Sequence, residues 1–305
     1  MLLRTILAAT TAVAALLVPA TAAAAAPDRT TTAGTTTTAG TTTAGTTTAG
    51  TTTAGTTTAG TTTAGTTTAG TAAGAATTST AVAANANANP VIVVGGLIGV
   101  SIAYEPIAAR LRADGFRVSI FQIPGLGFGD IRESARAFKT YVDQVRASTG
   151  AAKVDLVAHS EGGLVSRWYV KFLGGVDAVG RYVSLGSPQQ GTYAANILKF
   201  IGLGSCAGIV ACQQMSIGSD LLTALNGGDD TPGAIRWATV RTWQDELVLP
   251  IGNAALSDGA NNVLIQSWCP LRLVGHLSLI LDGTTYTVVR QVLTDVPVRP
   301  NCWAL

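Results

Sequence analysis

Residues 154–164 read V-D-L-V-A-H-S-E-G-G-L. An apolar strand, Val154 to Val157, runs directly into a turn of small and polar residues around Ser160, and a helix is predicted to follow. The pattern is that of a nucleophile elbow, G-x-S-x-G, with Ala158 in the first glycine position. Small residues suit 158 and 162 because the turn is sharp. The stretch predicts a reactive serine, and an ordinary turn serine is the alternative.

Predicted strands and helices alternate on both sides of this stretch. The first strand, Val91 to Val94, is apolar without a break, which is typical of a parallel-sheet strand covered on both faces. Further strands are predicted at 116–121, 182–185, 238–243 and 263–266, and helices at 107–113, 131–145, 163–172 and 288–293. This order predicts an α/β fold, an open and mostly parallel sheet with helices on both faces.

The first 89 of the 305 residues lack the side chains of a packed core. Residues 1–26 show an early positive charge, an apolar run and then small residues, the order of a secretory signal peptide. An uncleaved membrane anchor is the alternative. Residues 27–89 contain a repeated Thr-Thr-Thr-Ala-Gly array and are predicted to be a disordered spacer, with a glycosylated stalk as the alternative. The folded domain is expected to span 90–305.

Charge and histidine content exclude several classes of function. A formal net charge of +2 without a cluster of Lys or Arg argues against a nucleic-acid partner. The chain has only two histidines, His159 and His276, which argues against a multi-histidine metal centre. Neither a cofactor nor a metal is expected. No apolar run after the N-terminus is long enough to cross a bilayer, so no transmembrane segment is expected in the mature chain.

A serine nucleophile needs a base, normally histidine. Adjacent side chains leaving an extended strand point to opposite faces, so His159 is not expected to reach Ser160 Oγ. His276 remains as the candidate base, unless it is a structural histidine. The acid should lie between serine and histidine in chain order. Asp245 is favoured because it follows a predicted strand, and Glu246 is the runner-up. The other candidates are Asp177, Asp220, Asp229, Asp230 and Asp258, with Asp229 and Asp230 interpreted as solvated turn residues.

Six stretches of residues 90–305 form a recognisable set. They are P-V-I-V-V-G-G at 90–96, V-D-L-V-A-H-S-E-G-G at 154–163, S-L-G-S-P-Q-Q-G-T at 184–192, A-C-Q-Q-M at 211–215, T-W-Q-D-E-L-V-L-P at 242–250 and C-P-L-R-L-V-G-H at 269–276. In these stretches the chain resembles secreted bacterial lipases of the class 2 type in the α/β-hydrolase superfamily and, more distantly, Candida antarctica lipase B. The resemblance implies an α/β-hydrolase fold, with Ser160 as nucleophile, Asp245 as acid and His276 as base.

The same resemblance implies an oxyanion hole built from the backbone N–H groups of Leu97 and Glu161. The family's loop usually reads His-Gly-x after the first strand, whereas this chain has Gly95-Gly96-Leu97. Because the donors are backbone atoms, the hole can survive the loss of the histidine, but the loop loses an anchor. A simple strand-exit turn is the alternative for Gly95-Gly96.

Four cysteines fall in the folded part of a chain expected to be secreted, which predicts two disulfides. Three pairings are possible; proximity in sequence and the resemblance favour Cys206–Cys212 and Cys269–Cys302. Residues 192–218, which include Cys206 and Cys212, are unusually apolar. We expect this segment to be core, with a wall or lid of an acyl-binding pocket as the alternative.

Together these residues predict a secreted, monomeric carboxylic-ester hydrolase, a triacylglycerol lipase that acts on acyl-ester lipid at a lipid–water interface. A short-chain esterase, a polyester hydrolase and an acyltransferase with the same triad are the alternatives among enzymes. A stalked surface or adhesion protein with an inert hydrolase fold is the alternative from another class. The threonine-rich spacer also suggests an association with the cell wall.

Overall fold

The computed structural model describes residues 88–206, 208–257 and 259–305. The predicted signal peptide and nearly all of the predicted spacer lie outside these residues. Asn89, which the sequence analysis assigns to the spacer, donates a hydrogen bond from Nδ2 to Asp155 Oδ1 at 2.9 Å. Contacts with the domain therefore include a residue just before the expected boundary at Pro90.

The described residues form a six-stranded sheet in which every neighbouring pair is parallel, in the order β2-β1-β3-β4-β5-β6. The strands are β1 (Val91–Val94), β2 (Val118–Phe121), β3 (Val154–His159), β4 (Val179–Leu185), β5 (Arg236–Arg241) and β6 (Asn261–Leu264). The chain steps from β1 outward to β2 and then returns to place β3 on the other side of β1. Open α/β sheets hold their sites at such a reversal, beyond the carboxyl ends of the strands.

Eight α-helices connect and cover the strands in the described part of the chain. They are α1 (Glu105–Ala113), α2 (Ile131–Thr149), α3 (Glu161–Phe172), α4 (Ala194–Ile201), α5 (Val210–Gln214), α6 (Asp220–Asn226), α7 (Ile265–Trp268) and α8 (Gly283–Leu293). Single turns of 3₁₀ helix occur at Ser101–Tyr104, Pro124–Gly127, Gly175–Asp177, Ile251–Ala254 and Leu277–Ile280.

Apolar cores lie on both faces of the sheet. In β1, Ile92 and Val94 belong to a core that also contains residues of α2 and α3. Val91 and Val93 belong to a second core, which contains residues of α1 and α8. The unbroken apolar run of β1 is therefore buried on both sides, as predicted. Helices on both faces of a parallel sheet confirm the predicted fold class.

Several predicted boundaries were wrong, and local chemistry explains two of them. The last helix begins at Gly283 rather than near 288, because the side chain of Asp282 accepts a hydrogen bond from Thr285 N and caps it. Helix α1 begins two residues early because Pro106 fits the first turn of a helix. The strand predicted at 263–266 ends at Leu264, where the chain turns into α7.

The apolar segment 192–218 divides between core and surface. Ile197 and Ile209 are buried in the core that also holds α2, whereas Leu203 and Val210 are substantially exposed. The segment carries the disulfide Cys206–Cys212, and Cys269–Cys302 joins the chain near α7 to its last residues. Both disulfides join the predicted pairs. No helix in the described parts of the chain is both long and apolar enough to cross a membrane.

Candidate active site

Ser160 occupies a strained backbone conformation between β3 and α3. Its φ is 54° and its ψ is −128°, a region that side-chain-bearing residues avoid at a cost of about 1–3 kcal/mol. The pairing of β3 with β4 extends to this residue, since Ser160 N donates to Leu185 O at 3.0 Å. The sheet on one side and α3 on the other thus hold the conformation. The predicted strand–turn–helix context of the serine is confirmed.

Two glycines allow the chain to close around Ser160. A Cβ atom added to Gly162 would collide with the carbonyl oxygen of Gly95. A Cβ added to Gly96 would lie 2.7 Å from Ser160 Cβ. The loop after β1 therefore lies directly against the elbow after β3, and it does so only because these positions lack side chains.

The imidazole of His276 is bound by Asp245. His276 Nδ1 lies 3.0 Å from each carboxylate oxygen of Asp245, and both side chains are almost completely buried. Asp245 Oδ1 also accepts hydrogen bonds from the backbone N–H groups of Leu247 and Val248, at 2.9 and 2.8 Å. A carboxylate only accepts hydrogen bonds, so Nδ1 carries the proton and Nε2 is the basic nitrogen of the neutral ring.

Ser160 and His276 line the same cavity, which has a volume of about 190 Å³. Leu97, the predicted oxyanion donor in the loop after β1, also lines it. The remaining lining is mostly apolar. It comes from the segment after β1, from the turn after His276 and from the end of β3: Ile98, Gly99, Val100, Ala103, Tyr104, Leu277, Ile280 and His159. None of the described residues of the apolar segment 192–218 belongs to this lining.

Glu246, the runner-up acid, contacts the main chain of His276 rather than its ring. Its Oε2 accepts a hydrogen bond from His276 N at 3.0 Å. Of the two adjacent acids, only Asp245 binds the imidazole. The preference for Asp245 rests on its position after a predicted strand, and the structure places its carboxylate against the imidazole of His276.

The other candidate acids lie elsewhere. Asp177 and Asp220 are exposed, and Asp258 is outside the described residues. Asp229 accepts a hydrogen bond from Thr231 N, as a turn residue does. The interpretation of Asp230 as solvated was wrong: it is 2% exposed, and its Oδ2 accepts a hydrogen bond from Ser257 N at 2.8 Å. This hydrogen bond links the loop before β5 to the loop before β6.

His159 is buried behind Ser160, with both ring nitrogens bound to other groups. Its Nδ1 lies 3.1 Å from Tyr104 Oη, and its Nε2 lies 3.2 Å from the carbonyl oxygen of His276. Burial, followed by the proximity of His276, lowers the pKa of His159 to about 3. These contacts agree with the expectation that His159 does not serve Ser160. The sequence analysis missed Tyr104, which no motif marks.

The side chain of Glu161 is a second feature that the sequence analysis missed. It is fully buried, and within the described residues neither carboxyl oxygen has a hydrogen-bond partner. Burial raises the pKa of this carboxyl well above its ordinary value of 4.5, which favours its protonated form. A Cβ added to Gly127 would collide with the carboxyl, which places the group under the loop at 124–127. Only the backbone N–H of Glu161 had been assigned a role.

In the described part of the chain, no three His, Cys, Asp or Glu side chains are grouped so that they could hold a metal ion.

The chain is similar to known α/β hydrolases and lipases. Residues 89–210 match a family model described as alpha/beta hydrolase fold. Over 178 residues the chain is 29% identical to a triacylglycerol lipase of Burkholderia plantarii, covering 54% of this chain and 49% of that protein. Over 177 residues it is 24% identical to lipase B of Pseudozyma antarctica, covering 56% and 51%. The chain spans about half the length of the curated relatives it matches.

A solved structure shares the fold. The crystal structure of Aspergillus fumigatus lipase B superposes with a TM-score of 0.59 at 19% identity, covering 68% of this chain and 52% of that one. At this level of identity the likeness concerns the fold alone.

The close approach of Gly162 to the loop after β1 gives a first prediction. Gly162→Ala should destabilise the protein by about 1–3 kcal/mol, because the new methyl group meets the rigid carbonyl of Gly95. Gly252→Ala is the matched control, since a Cβ there meets open space, and it should change stability by less than about 0.5 kcal/mol. Urea denaturation measures both. Equal midpoints for the two variants would contradict the packing described for the elbow.

The buried carboxyl of Glu161 gives a second prediction. Above pH 4.5 the unfolded chain releases this proton, whereas the folded chain keeps it up to its raised pKa. The free energy of unfolding therefore falls as the pH rises from 4.5 toward that pKa. Glu161→Gln has no proton to release, so its stability relative to wild type should increase from about pH 5 to about pH 8 in urea denaturation. Glu133→Gln, at an exposed position, is the control. A difference that stays constant with pH would show that Glu161 is ionised.

Proposed function

We propose that this chain, a member of the α/β-hydrolase superfamily that resembles its lipases, hydrolyses carboxylic esters with Ser160 as its nucleophile. The proposal rests on one observation: the strained Ser160 and the Asp245-bound imidazole of His276 line one cavity. A serine on a strained turn and a histidine oriented by a buried carboxylate have the arrangement of a nucleophile with its base.

In the first half of the reaction, Ser160 Oγ attacks the ester carbonyl carbon while His276 Nε2 takes the hydroxyl proton. The tetrahedral intermediate collapses, the bond from carbon to the alcohol oxygen breaks, and His276 gives its proton to the departing alcohol. In the second half, a water molecule attacks the acyl-enzyme and gives a proton to His276. Ser160 recovers that proton as the acid leaves. Asp245 keeps Nδ1 protonated and stabilises the transient imidazolium.

The oxyanion is proposed to bind to the backbone N–H groups of Leu97 and Glu161. Leu97 lines the cavity beside Ser160, and Glu161 is the first residue of α3. The positive end of the α3 dipole is therefore directed at the developing negative charge. The contact between Gly96 and Ser160 supports the assignment, because it brings the loop after β1 within reach of the same carbonyl.

We propose triacylglycerols, or similar acyl-ester lipids, as the substrates. Apolar residues dominate the cavity next to Ser160, so an acyl chain can enter it without leaving polar groups unpaired. The similar proteins named above are lipases. We also propose that the protein works outside the cell, as a monomer, and the two disulfides support this location because such bonds persist in oxidising compartments.

Initial rates on p-nitrophenyl esters from acetate to palmitate test both parts of the proposal. Ser160→Ala should lower kcat by about 10⁴-fold or more at every chain length, because no other group can form the acyl-enzyme. Ser148→Ala, at an exposed position on α2, is the control and should match wild type. The absence of Ser160-dependent turnover at every chain length would reject the hydrolase and favour the inert fold of a surface protein. A sharp preference for short, soluble esters would reject only the lipase assignment.

The two histidines are expected to respond differently to substitution. His276→Ala should abolish measurable turnover, because it removes the base. His159→Ala should retain a reduced rate, because the base and its carboxylate remain. The same ester assay measures both variants, and circular dichroism checks that each is folded. An inactive His159→Ala beside an active His276→Ala would reverse the assignment of the base.

A further inference from the structure

A buried line of hydrogen bonds connects the loop after β1 to the loop that carries His276. Gly96 N donates to Tyr104 Oη at 2.8 Å, and Tyr104 Oη lies 3.1 Å from His159 Nδ1. His159 Nε2 lies 3.2 Å from the carbonyl oxygen of His276. Tyr104 and His159 are each 3% exposed, and His276 is fully buried. The line therefore runs entirely inside the protein, behind the nucleophile.

The partners at the two ends fix the direction of every bond in the line. The carbonyl oxygen of His276 only accepts, so His159 Nε2 must carry the proton. In the neutral ring Nδ1 is then an acceptor, which requires the Tyr104 hydroxyl to donate to it. The hydroxyl oxygen is left to accept from Gly96 N–H. Every donor and acceptor in the line therefore has a partner, which is the condition under which buried polar networks rigidify a structure.

The line remains neutral over the working range of the enzyme. Burial lowers the pKa of His159 to about 3, and burial raises the pKa of Tyr104 to about 12. Neither group gains or loses a proton between these limits. The direction of the hydrogen bonds is therefore the same at every pH at which the protein is expected to work.

At one end, the loop at 95–99 is shaped around the Tyr104 hydroxyl. A Cβ added to Gly95 would lie 2.9 Å from Tyr104 Cε2, and one added to Gly99 would lie 2.6 Å from Tyr104 Oη. The loop closes with a hydrogen bond of 2.9 Å from Gly99 N to Gly96 O. Tyr104 thus holds the residue that immediately precedes Leu97, the proposed oxyanion donor.

At the other end, the main chain of His276 is held from both sides. His159 donates to its carbonyl oxygen, and Glu246 accepts from its N–H at 3.0 Å. Together with the contact of Asp245 with the ring, these bonds determine where the imidazole lies. The contact from His159 is the one that continues to the oxyanion loop.

We propose that Tyr104 and His159 are positioning residues that fix the oxyanion loop relative to the imidazole of His276. The inference rests on the proposed function of Ser160 and His276. Tyr104 acts through the backbone N–H of Gly96. His159 acts through the carbonyl oxygen of His276 and through its ring, whose centroid lies 4.9 Å from that of the His276 imidazole. Loss of either one should disturb the transition state, in which the base and the oxyanion donors act together, more than the binding of the ester.

Kinetics on a p-nitrophenyl ester of medium chain length provide the first test. Tyr104→Phe and His159→Leu should each lower kcat by about 10- to 100-fold while KM changes less than about threefold, as expected for a displacement of catalytic groups. The double variant should be no worse than the poorer single variant, because one broken link already uncouples the two loops. His159→Gln should recover part of the loss, since its amide can still donate to the carbonyl of His276.

Tyr286→Phe is the matched control. It removes another tyrosine hydroxyl that donates a hydrogen bond, here to Asp114 Oδ2 at 2.7 Å, away from the cavity. It should lower stability without changing kcat. Unchanged kcat in Tyr104→Phe, or losses of the two single variants that multiply in the double variant, would overturn the proposal. An equal loss of kcat in the glutamine and leucine variants would also count against it.

Nitrogen-15 NMR of the two histidines provides a second test that needs no turnover. With only two histidines in the chain, the spectrum of His159→Gln assigns both. His159 should show the neutral, Nε2-protonated form from about pH 5 to about pH 8. In Tyr104→Phe its Nδ1 signal should shift as the hydrogen bond is lost. An Nδ1-protonated His159 ring would overturn the proposed line of hydrogen bonds. Ser160-independent turnover would instead overturn the proposed function and would leave the NMR result unchanged.

Discussion

The strained backbone of Ser160, with its positive φ, constrains the rest of the site. A side-chain-bearing residue holds this conformation only when its surroundings leave no alternative. Here β3 is paired on both sides along its length, and Ser160 N itself donates to Leu185 O. Helix α3 begins at the next residue. Because β3 is held by its neighbouring strands and α3 begins at the next residue, the whole turn falls on Ser160.

This constraint also explains why the loop after β1 is rich in glycine. The reversal of strand order puts the ends of β1 and β3 side by side, so the two loops share one crevice. A sharp turn at Ser160 brings α3 back against β1 at Gly162, where the carbonyl of Gly95 leaves no space for a methyl group. The strand order brings the loops after β1 and β3 together. The missing side chains of their glycines allow the two loops to pack in close contact.

Local sequence was sufficient to predict the strand–turn–helix context of Ser160 and to propose His276 as its base. The strand before Ser160 and the small residues around it are continuous in the chain, and the shortage of histidines left His276 as the candidate base. What the sequence could not show depends on contacts between distant residues. Tyr104 and His159 are 55 positions apart, and Glu246 reaches His276 across 30. Asp230 was misjudged for the same reason, because its partner, Ser257, lies in another loop.

The loop at Gly95-Gly96 shows why such contacts matter for predicting function from a motif. The resemblance places a histidine at position 95 in related lipases, and its absence here suggested a loop without an anchor. In the structure the hydroxyl of Tyr104 binds Gly96 N–H from outside the motif. A backbone N–H requires only an acceptor at the right distance, and any element of the fold that packs there can provide one. The capacity of an oxyanion loop to work is therefore a property of the residues packed behind it as much as of its own sequence.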